Sequence, residues 1–97
     1  MSASADPGRD VARDVVVHGL VQGVFFRGSC QDQAVRAGVT GWVANEYDGT
    51  VAGHFEGPAE AVQALVEWCR SGPRHAVVQQ VDVTEASLEG YTRFEVR

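Results

Sequence analysis

The chain has 97 residues, of which 44% are hydrophobic and 22% charged, so it is long enough for one domain with a buried core. Eight basic and thirteen acidic residues give a formal net charge of −5. This balance argues against a nucleic-acid or membrane-surface partner, because proteins that bind either one carry an excess of basic residues. No apolar run approaches the roughly 20 residues that span a bilayer, and residues 1–10 lack the apolar stretch of a signal peptide, so we expect a cytoplasmic protein.

The organisation along the chain follows from composition and periodicity. Residues 1–10 are small, polar and interrupted by a Pro-Gly pair, which predicts a disordered lead-in, and residues 11–97 form the domain. Hydrophobic periodicity, β-branched residues and turn signals predict the following elements in chain order: a strand at 11–20, a loop at 21–27, a helix at 29–37, strands at 40–46 and 50–57, a helix at 58–70, and strands at 76–86 and 91–97.

The second helix and the hairpin have the most specific signals. Val62, Leu65, Val66 and Cys69 recur at helical spacing, which places them on one apolar face. Asp48 is followed by glycine, the pair most typical of a two-residue hairpin turn.

The order of the elements predicts an α+β fold of the ferredoxin-like, split βαβ type. Its sheet is antiparallel, has the strand order 4-1-3-2 and carries two helices on one face. The first two strands then run parallel with one strand between them, so their carboxyl ends lie at one edge, about 10 Å apart at ~4.8 Å per strand. The loop at 21–26 and Asn45 are therefore expected to be neighbours.

The loop after the first strand has features of an anion site. Gly19 and Gly23 permit left-handed or open backbone, which can turn successive N–H groups inward beside a helix N-terminus. Arg27 adds a planar guanidinium suited to two phosphate oxygens. The same spacing also fits a tight turn with Arg27 as a solvated charge, and Asn45 also fits an Asx turn. The Walker pattern GxxxxGK[ST] is absent, which argues against nucleotide hydrolysis of that type.

Most other chemically active side chains are expected to be structural. The histidines, His18, His54 and His75, lack metal-ligand spacing and are expected at the surface or partly buried. Cys30 and Cys69 are expected as buried thiols, not a disulfide. We expect Phe25 and Phe26 to line the site. The aromatic residues expected in the core are Trp42, Phe55, Trp68 and Phe94, and Val96 is expected to face inward as well.

Three segments closely resemble the acylphosphatase family: GLVQGVFFR at 19–27, GWVAN at 41–45 and DGTVAGHFEGP at 48–58. The most specific part is the Val-Gln-Gly-Val core with an arginine three residues further on, and the resemblance extends from about residue 11 to residue 97. It departs at Leu20, where the family often has a basic residue, and it is loose at RHAVVQQV. We expect Leu20 to change the charge around the pocket and not the mechanism.

The resemblance implies an enzyme that hydrolyses small acyl phosphates to a carboxylate and inorganic phosphate, without metal or cofactor, and we expect it to be a monomer. It implies that Arg27 binds the phosphate and that Asn45 positions the attacking water. It further implies that backbone N–H groups of the loop complete the phosphate site, namely those of Gln22, Gly23, Val24, Phe25 and Phe26. The carboxylate is already a good leaving group, so catalysis reduces to positioning and electrostatic stabilisation.

Two other functions stay open at this point. A non-catalytic module that binds phosphate or carbamoyl phosphate, like the acylphosphatase-like domains of larger carbamoyl-transferring enzymes, would bind phosphate without turnover. A ferredoxin-like RNA-binding domain has the same order of elements, but it stacks bases on strand aromatics in a Lys/Arg-Gly-Phe pattern. The strand at 50–57 lacks that pattern, and the net charge has the wrong sign.

Overall fold

The computed structural model describes residues 9–97 of the chain. Residues 1–8, most of the predicted lead-in, lie outside the described residues, and the first strand begins at Asp10, within the predicted lead-in. The elements are, in order, β1 (Asp10–Leu20), α1 (Phe26–Ala37), β2 (Thr40–Asn45), β3 (Val51–Pro58), α2 (Ala59–Cys69), β4 (Val77–Ala86) and β5 (Phe94–Val96). Neither α1 nor α2 is long and apolar enough to cross a membrane.

The sheet has the order β4-β1-β3-β2-β5. Its first four strands pair antiparallel in the predicted order, which confirms the ferredoxin-like α+β fold. The short strand β5 joins the outer edge of β2 in parallel, so the five-stranded sheet is mixed. The chain reaches that edge from β4 through residues 87–93, and this crossing sets the position of the C-terminal residues.

The core lies between the helices and one face of the sheet. The predicted apolar face of α2 is confirmed, since Val62, Leu65, Val66 and Cys69 are all buried. Cys30 and Cys69 are free thiols in this core, as expected. The neighbouring Cys69 thiol and burial together raise the pKa of Cys30 well above its ordinary value, so Cys30 remains protonated.

Helix α1 begins at Phe26, three residues before the predicted start. The carbonyl oxygen of Phe25 accepts the N–H of Ser29 at 3.1 Å, which closes the first turn around Phe26, Arg27 and Gly28. The loop between β1 and α1 is correspondingly shorter, and Arg27 lies on the helix.

The prediction that Trp42 lies in the core is wrong. Side chains alternate along a strand, so Trp42 faces the side of the sheet opposite the helices while Val43 is buried in the core. Trp68 is only partly buried, with its ring centroid 5.3 Å from that of Phe26. Val96 is also not turned inward: its residue is 41% exposed.

The face of the sheet without helices carries three ionisable side chains in hydrogen-bond contact, the exposed Asp14 and the buried His54 and Glu56, which we call the His54 cluster. His54 is only 5% exposed, so the expectation of a surface or partly buried histidine is wrong. Its Nδ1 lies 2.6 Å from an Asp14 carboxylate oxygen and its Nε2 lies 2.6 Å from a Glu56 carboxylate oxygen. Glu56 also accepts the backbone N–H groups of Glu89 and Gly90, which ties the crossing segment 87–93 to the sheet.

Candidate active site

A pocket of about 500 Å³ opens at the edge of the sheet where β1 and β2 end, and it contains the two side chains singled out in the sequence. Arg27 and Asn45 both line it, as the parallel direction of β1 and β2 requires. The complete lining is Val21, Gly23, Phe25, Phe26, Arg27, Gly28, Gln31, Asn45 and Val96. The prediction that the topology brings Arg27 and Asn45 together is therefore confirmed, because both line the same pocket.

The loop at 21–25 has two residues in the left-handed region. Gly23 has φ 77° and Phe25 has φ 63°, with Val24 between them. Left-handed residues within a short loop turn N–H groups to one side and form an anion-binding concavity. Among the backbone hydrogen bonds outside helices and strands in residues 9–97, none is donated by an N–H group of residues 22–25.

The N-terminus of α1 has neither of the partners that usually stabilise a helix start. Its N-cap residue, Phe25, makes no side-chain capping hydrogen bond, and no acidic residue lies in the first turn. The first N–H groups of a helix have no partner within the helix, and they form a ready site for an anion. Of the residues whose N–H groups were predicted to bind phosphate, Gly23, Phe25 and Phe26 line the pocket, whereas Gln22 and Val24 do not.

Arg27 lies in the first turn of α1 and is half-buried. Its Nη1 donates a hydrogen bond of 2.7 Å to the main-chain oxygen of Arg97, just beyond β5. A cation at a helix N-terminus opposes the helix dipole by about 0.3–1 kcal/mol, so the position is unfavourable for the helix itself. The contact with Arg97 orients the guanidinium, and sequence reasoning missed it because only the crossing of residues 87–93 brings Arg97 to this edge.

Asn45 is exposed at the end of β2, opposite Val51 in β3. The Asx-type contact in the following hairpin belongs to Asp48, whose carboxylate accepts the Thr50 N–H at 3.0 Å and the Thr50 hydroxyl at 2.6 Å. The hydroxyl and N–H of Thr50 lower the pKa of Asp48. Asp48, and not Asn45, therefore forms the Asx turn of this hairpin.

Gln22 connects the loop to the same hairpin. Its Nε2 donates to the carbonyl oxygens of Glu46 at 2.8 Å and Thr50 at 2.9 Å. Sequence reasoning assigned Gln22 only a backbone role and missed this contact. The available signal was a two-donor amide in a loop that the topology places beside the hairpin. Val24, in turn, packs against the core.

The histidines, the cysteines and Leu20, which the sequence also brought into question, do not line this pocket. Within the part of the chain that the structure describes, no three His, Cys, Asp or Glu side chains form a group that could hold a metal ion. Leu20 is exposed at the end of β1, where it pairs with Val77.

Comparison with known proteins gives a consistent result. A family model described as acylphosphatase matches residues 13–96. An acylphosphatase from a Nocardioides species is 55% identical over 86 residues, which cover 89% of this chain and 87% of that protein. The structure of an acylphosphatase from Coxiella burnetii superposes with a TM-score of 0.88 at 39% identity, covering 91% of this chain and 93% of that one.

A larger protein also contains a similar domain. The full-length HypF structure, described as phosphate- and nucleotide-bound, matches with a TM-score of 0.85 at 26% identity. The match covers 92% of this chain but only 12% of HypF. The likeness therefore concerns one small part of HypF.

Proposed function

Because the chain belongs to the acylphosphatase family and is an enzyme of that family, we propose that the pocket between β1 and β2 hydrolyses small acyl phosphates. The products are a carboxylate and inorganic phosphate, and the reaction uses no metal or cofactor. The enzyme acts as a monomer in the cytoplasm. The observation that carries the proposal is that Arg27, Asn45 and two loop residues, Gly23 and Phe25, line one pocket, and that the N–H groups of these two loop residues donate no backbone hydrogen bond within residues 9–97.

Phosphate binding falls to Arg27 and the backbone. The guanidinium offers two parallel donors to phosphate oxygens, and the N–H groups of residues 22–26 surround the remaining oxygens. These donors are fixed before the substrate arrives, because Gln22 ties the loop to the hairpin and Arg97 holds the guanidinium. Preorganised donors of this kind stabilise the charge that develops on the equatorial oxygens.

The chemical step is direct attack of water on phosphorus. The oxygen of the water forms a bond to phosphorus while the bond from phosphorus to the carboxylate oxygen breaks, and the carboxylate leaves with the electron pair. The proton released from water ends on the phosphate product or in solvent. Asn45 holds the water in line with the leaving group through its amide, which provides one acceptor and one donor direction.

The decisive test is hydrolysis of benzoyl phosphate in the presence of EDTA. We expect turnover that EDTA does not reduce. Arg27→Gln should lower kcat by about 10²–10³, the effect of removing one charge-stabilising donor, and Asn45→Ala by about 10², the effect of a misplaced reactant. Arg36→Gln, which removes an exposed basic residue from the last turn of the same helix, is the matched control. Full activity in Arg27→Gln or Asn45→Ala, with thermal unfolding showing an intact fold, would contradict the assignment.

The likeness to part of HypF favours one second candidate, a module that binds phosphate without turnover. The same Arg27 and N–H groups would then hold the anion. Saturable binding of inorganic phosphate by calorimetry, with no hydrolysis of benzoyl or acetyl phosphate, would support this alternative over the enzyme.

A further inference from the structure

Phe25 is unusual in both its backbone and its side chain. It is the single non-glycine residue with positive φ among residues 9–97, at φ 63° and ψ 31°. It is also 74% exposed, although it is a large apolar residue, and it lines the candidate pocket. A bulky residue in the left-handed region is an outlier, and such outliers cluster at functional sites.

Neither the loop geometry nor folding explains a phenylalanine here. Glycine adopts the same backbone without strain, as Gly23 does two residues earlier in the loop at φ 77°. The Phe25 ring contacts Gly28 so closely that a Cβ on Gly28 would lie 2.6 Å from its ζ carbon. Yet the residue remains largely in solvent, so burying the ring contributes little to stability.

The lining of the pocket separates into polar and apolar parts. Arg27 and Asn45 supply charge and hydrogen bonds, whereas Phe25, Phe26 and Val96 supply apolar surface. The volume of about 500 Å³ lies in the range of small-molecule sites, roughly 300–1,000 Å³. Once the phosphate is held by Arg27 and the N–H groups, the apolar surface is left for the other half of the substrate.

We infer that Phe25 recognises the acyl group and makes the enzyme selective for acyl phosphates with an aromatic or large apolar acyl part. This inference rests on the proposed function, because it assumes that the phosphate lies against Arg27. The exposed ring would stack on, or pack against, the acyl group of the bound substrate. Phe25 is thus a specificity-determining residue, separate from the contribution of its backbone N–H.

The experiment compares kcat/KM for benzoyl phosphate and acetyl phosphate in the wild type, Phe25→Gly and Phe25→Asn. Glycine and asparagine both tolerate the left-handed region, so both variants keep the loop conformation while removing the ring. The two substrates share the phosphoryl group, and any disturbance of phosphate binding cancels in the ratio of their kcat/KM values. We expect the benzoyl-to-acetyl ratio to fall about three- to tenfold, the range for loss of one aromatic contact.

Gly28→Ala provides an independent test of the same ring. Its new methyl group displaces the Phe25 ring, so it should lower the ratio in the wild-type background and leave it unchanged in the Phe25→Gly background. An equal loss for both substrates in the Phe25 variants, or an effect of Gly28→Ala that persists without the ring, would overturn the inference. Failure of the proposed function would look different, because the wild type would then hydrolyse neither substrate, and the inference would fall with it.

Discussion

The substitution Glu56→Gln tests whether the His54 cluster is a major source of stability. Glu56 is 4% exposed, and its carboxylate has three hydrogen-bonding partners: His54 Nε2 at 2.6 Å, the Glu89 N–H at 2.5 Å and the Gly90 N–H at 3.1 Å. His54 Nε2 and the Glu89 N–H share Oε2, whereas the Gly90 N–H uses Oε1. Glutamine has the same shape but only one oxygen, so its NH₂ group faces a donor on one side, and an oxygen left towards His54 is neutral. The charge-assisted bond to His54 is lost in either orientation.

The pKa shifts in the cluster set the pH range in which this bond stabilises the fold. Burial alone would lower the pKa of His54, but hydrogen bonds with Glu56 and Asp14 outweigh it and raise the pKa above 6.5. Burial alone would raise the pKa of Glu56, but hydrogen bonds from His54, Glu89 and Gly90 lower it below 4.5.

Each pKa shift stabilises the folded protein only in the pH range on one side of that pKa. The His54 contribution is complete below pH 6.5 and is lost as the pH rises through its raised pKa, whereas the Glu56 contribution is complete above pH 4.5 and is lost as the pH falls through its lowered pKa. The two contributions are therefore both present between these values.

A hydrogen bond to a charged group contributes about 1.5–3 kcal/mol, so we expect Glu56→Gln to lose about 2 kcal/mol near pH 5.5. For a domain of this size, that loss lowers Tm by about 8–16 °C. Urea unfolding from about pH 5 to pH 9 measures the difference, which should shrink as His54 deprotonates. Glu67→Gln on the exposed face of α2 is the control, with an expected change below about 0.5 kcal/mol. A loss for Glu56→Gln as small as that, or one constant across this pH range, would refute the reasoning.

Two further substitutions test the loop. Gln22→Ala removes both hydrogen bonds to Glu46 and Thr50. We expect kcat/KM for benzoyl phosphate to fall about ten- to hundredfold, because the phosphate donors lose their fixed geometry. An unchanged kcat/KM would show that the loop keeps its conformation without these hydrogen bonds. Gly19→Ala places a Cβ 2.1 Å from the Val77 carbonyl oxygen at φ +128°, and urea unfolding should show a loss of about 2 kcal/mol or more; wild-type stability would mean that β1 and β4 can separate there freely.

The fold was predictable because its signals are local. The apolar spacing in α2 and the Asp48-Gly49 turn fix an antiparallel hairpin and an amphipathic helix, and the order of elements then leaves few topologies. The neighbourhood of Arg27 and Asn45 follows from that topology, since β1 and β2 run parallel. This part of the site could therefore be placed before any side-chain contact was known.

The burial of His54 and Glu56 could not be predicted in the same way. Alternation along β3 places His54 and Glu56 on the face without helices, which local pattern treats as solvent-exposed. They are buried because residues 87–93 cross that face on the way from β4 to β5, and Glu56 holds the crossing by accepting two of its N–H groups. Burial of this kind depends on a contact 33 residues away in sequence, and no local periodicity encodes it.

The start of α1 was missed for a reason that bears on function. A helix start is recognised by its cap, and α1 has none: no side chain caps it, and its first turn carries Arg27 and no acid. A capping side chain contributes about 0.5–2 kcal/mol. The start of α1 therefore lacks two stabilising contributions, a side-chain cap and a favourable charge in the first turn. The same N–H groups cannot both be capped and hold an anion. A bound phosphate would supply the missing acceptor and the missing negative charge together, which explains why departures from local rules concentrate where the substrate is proposed to bind.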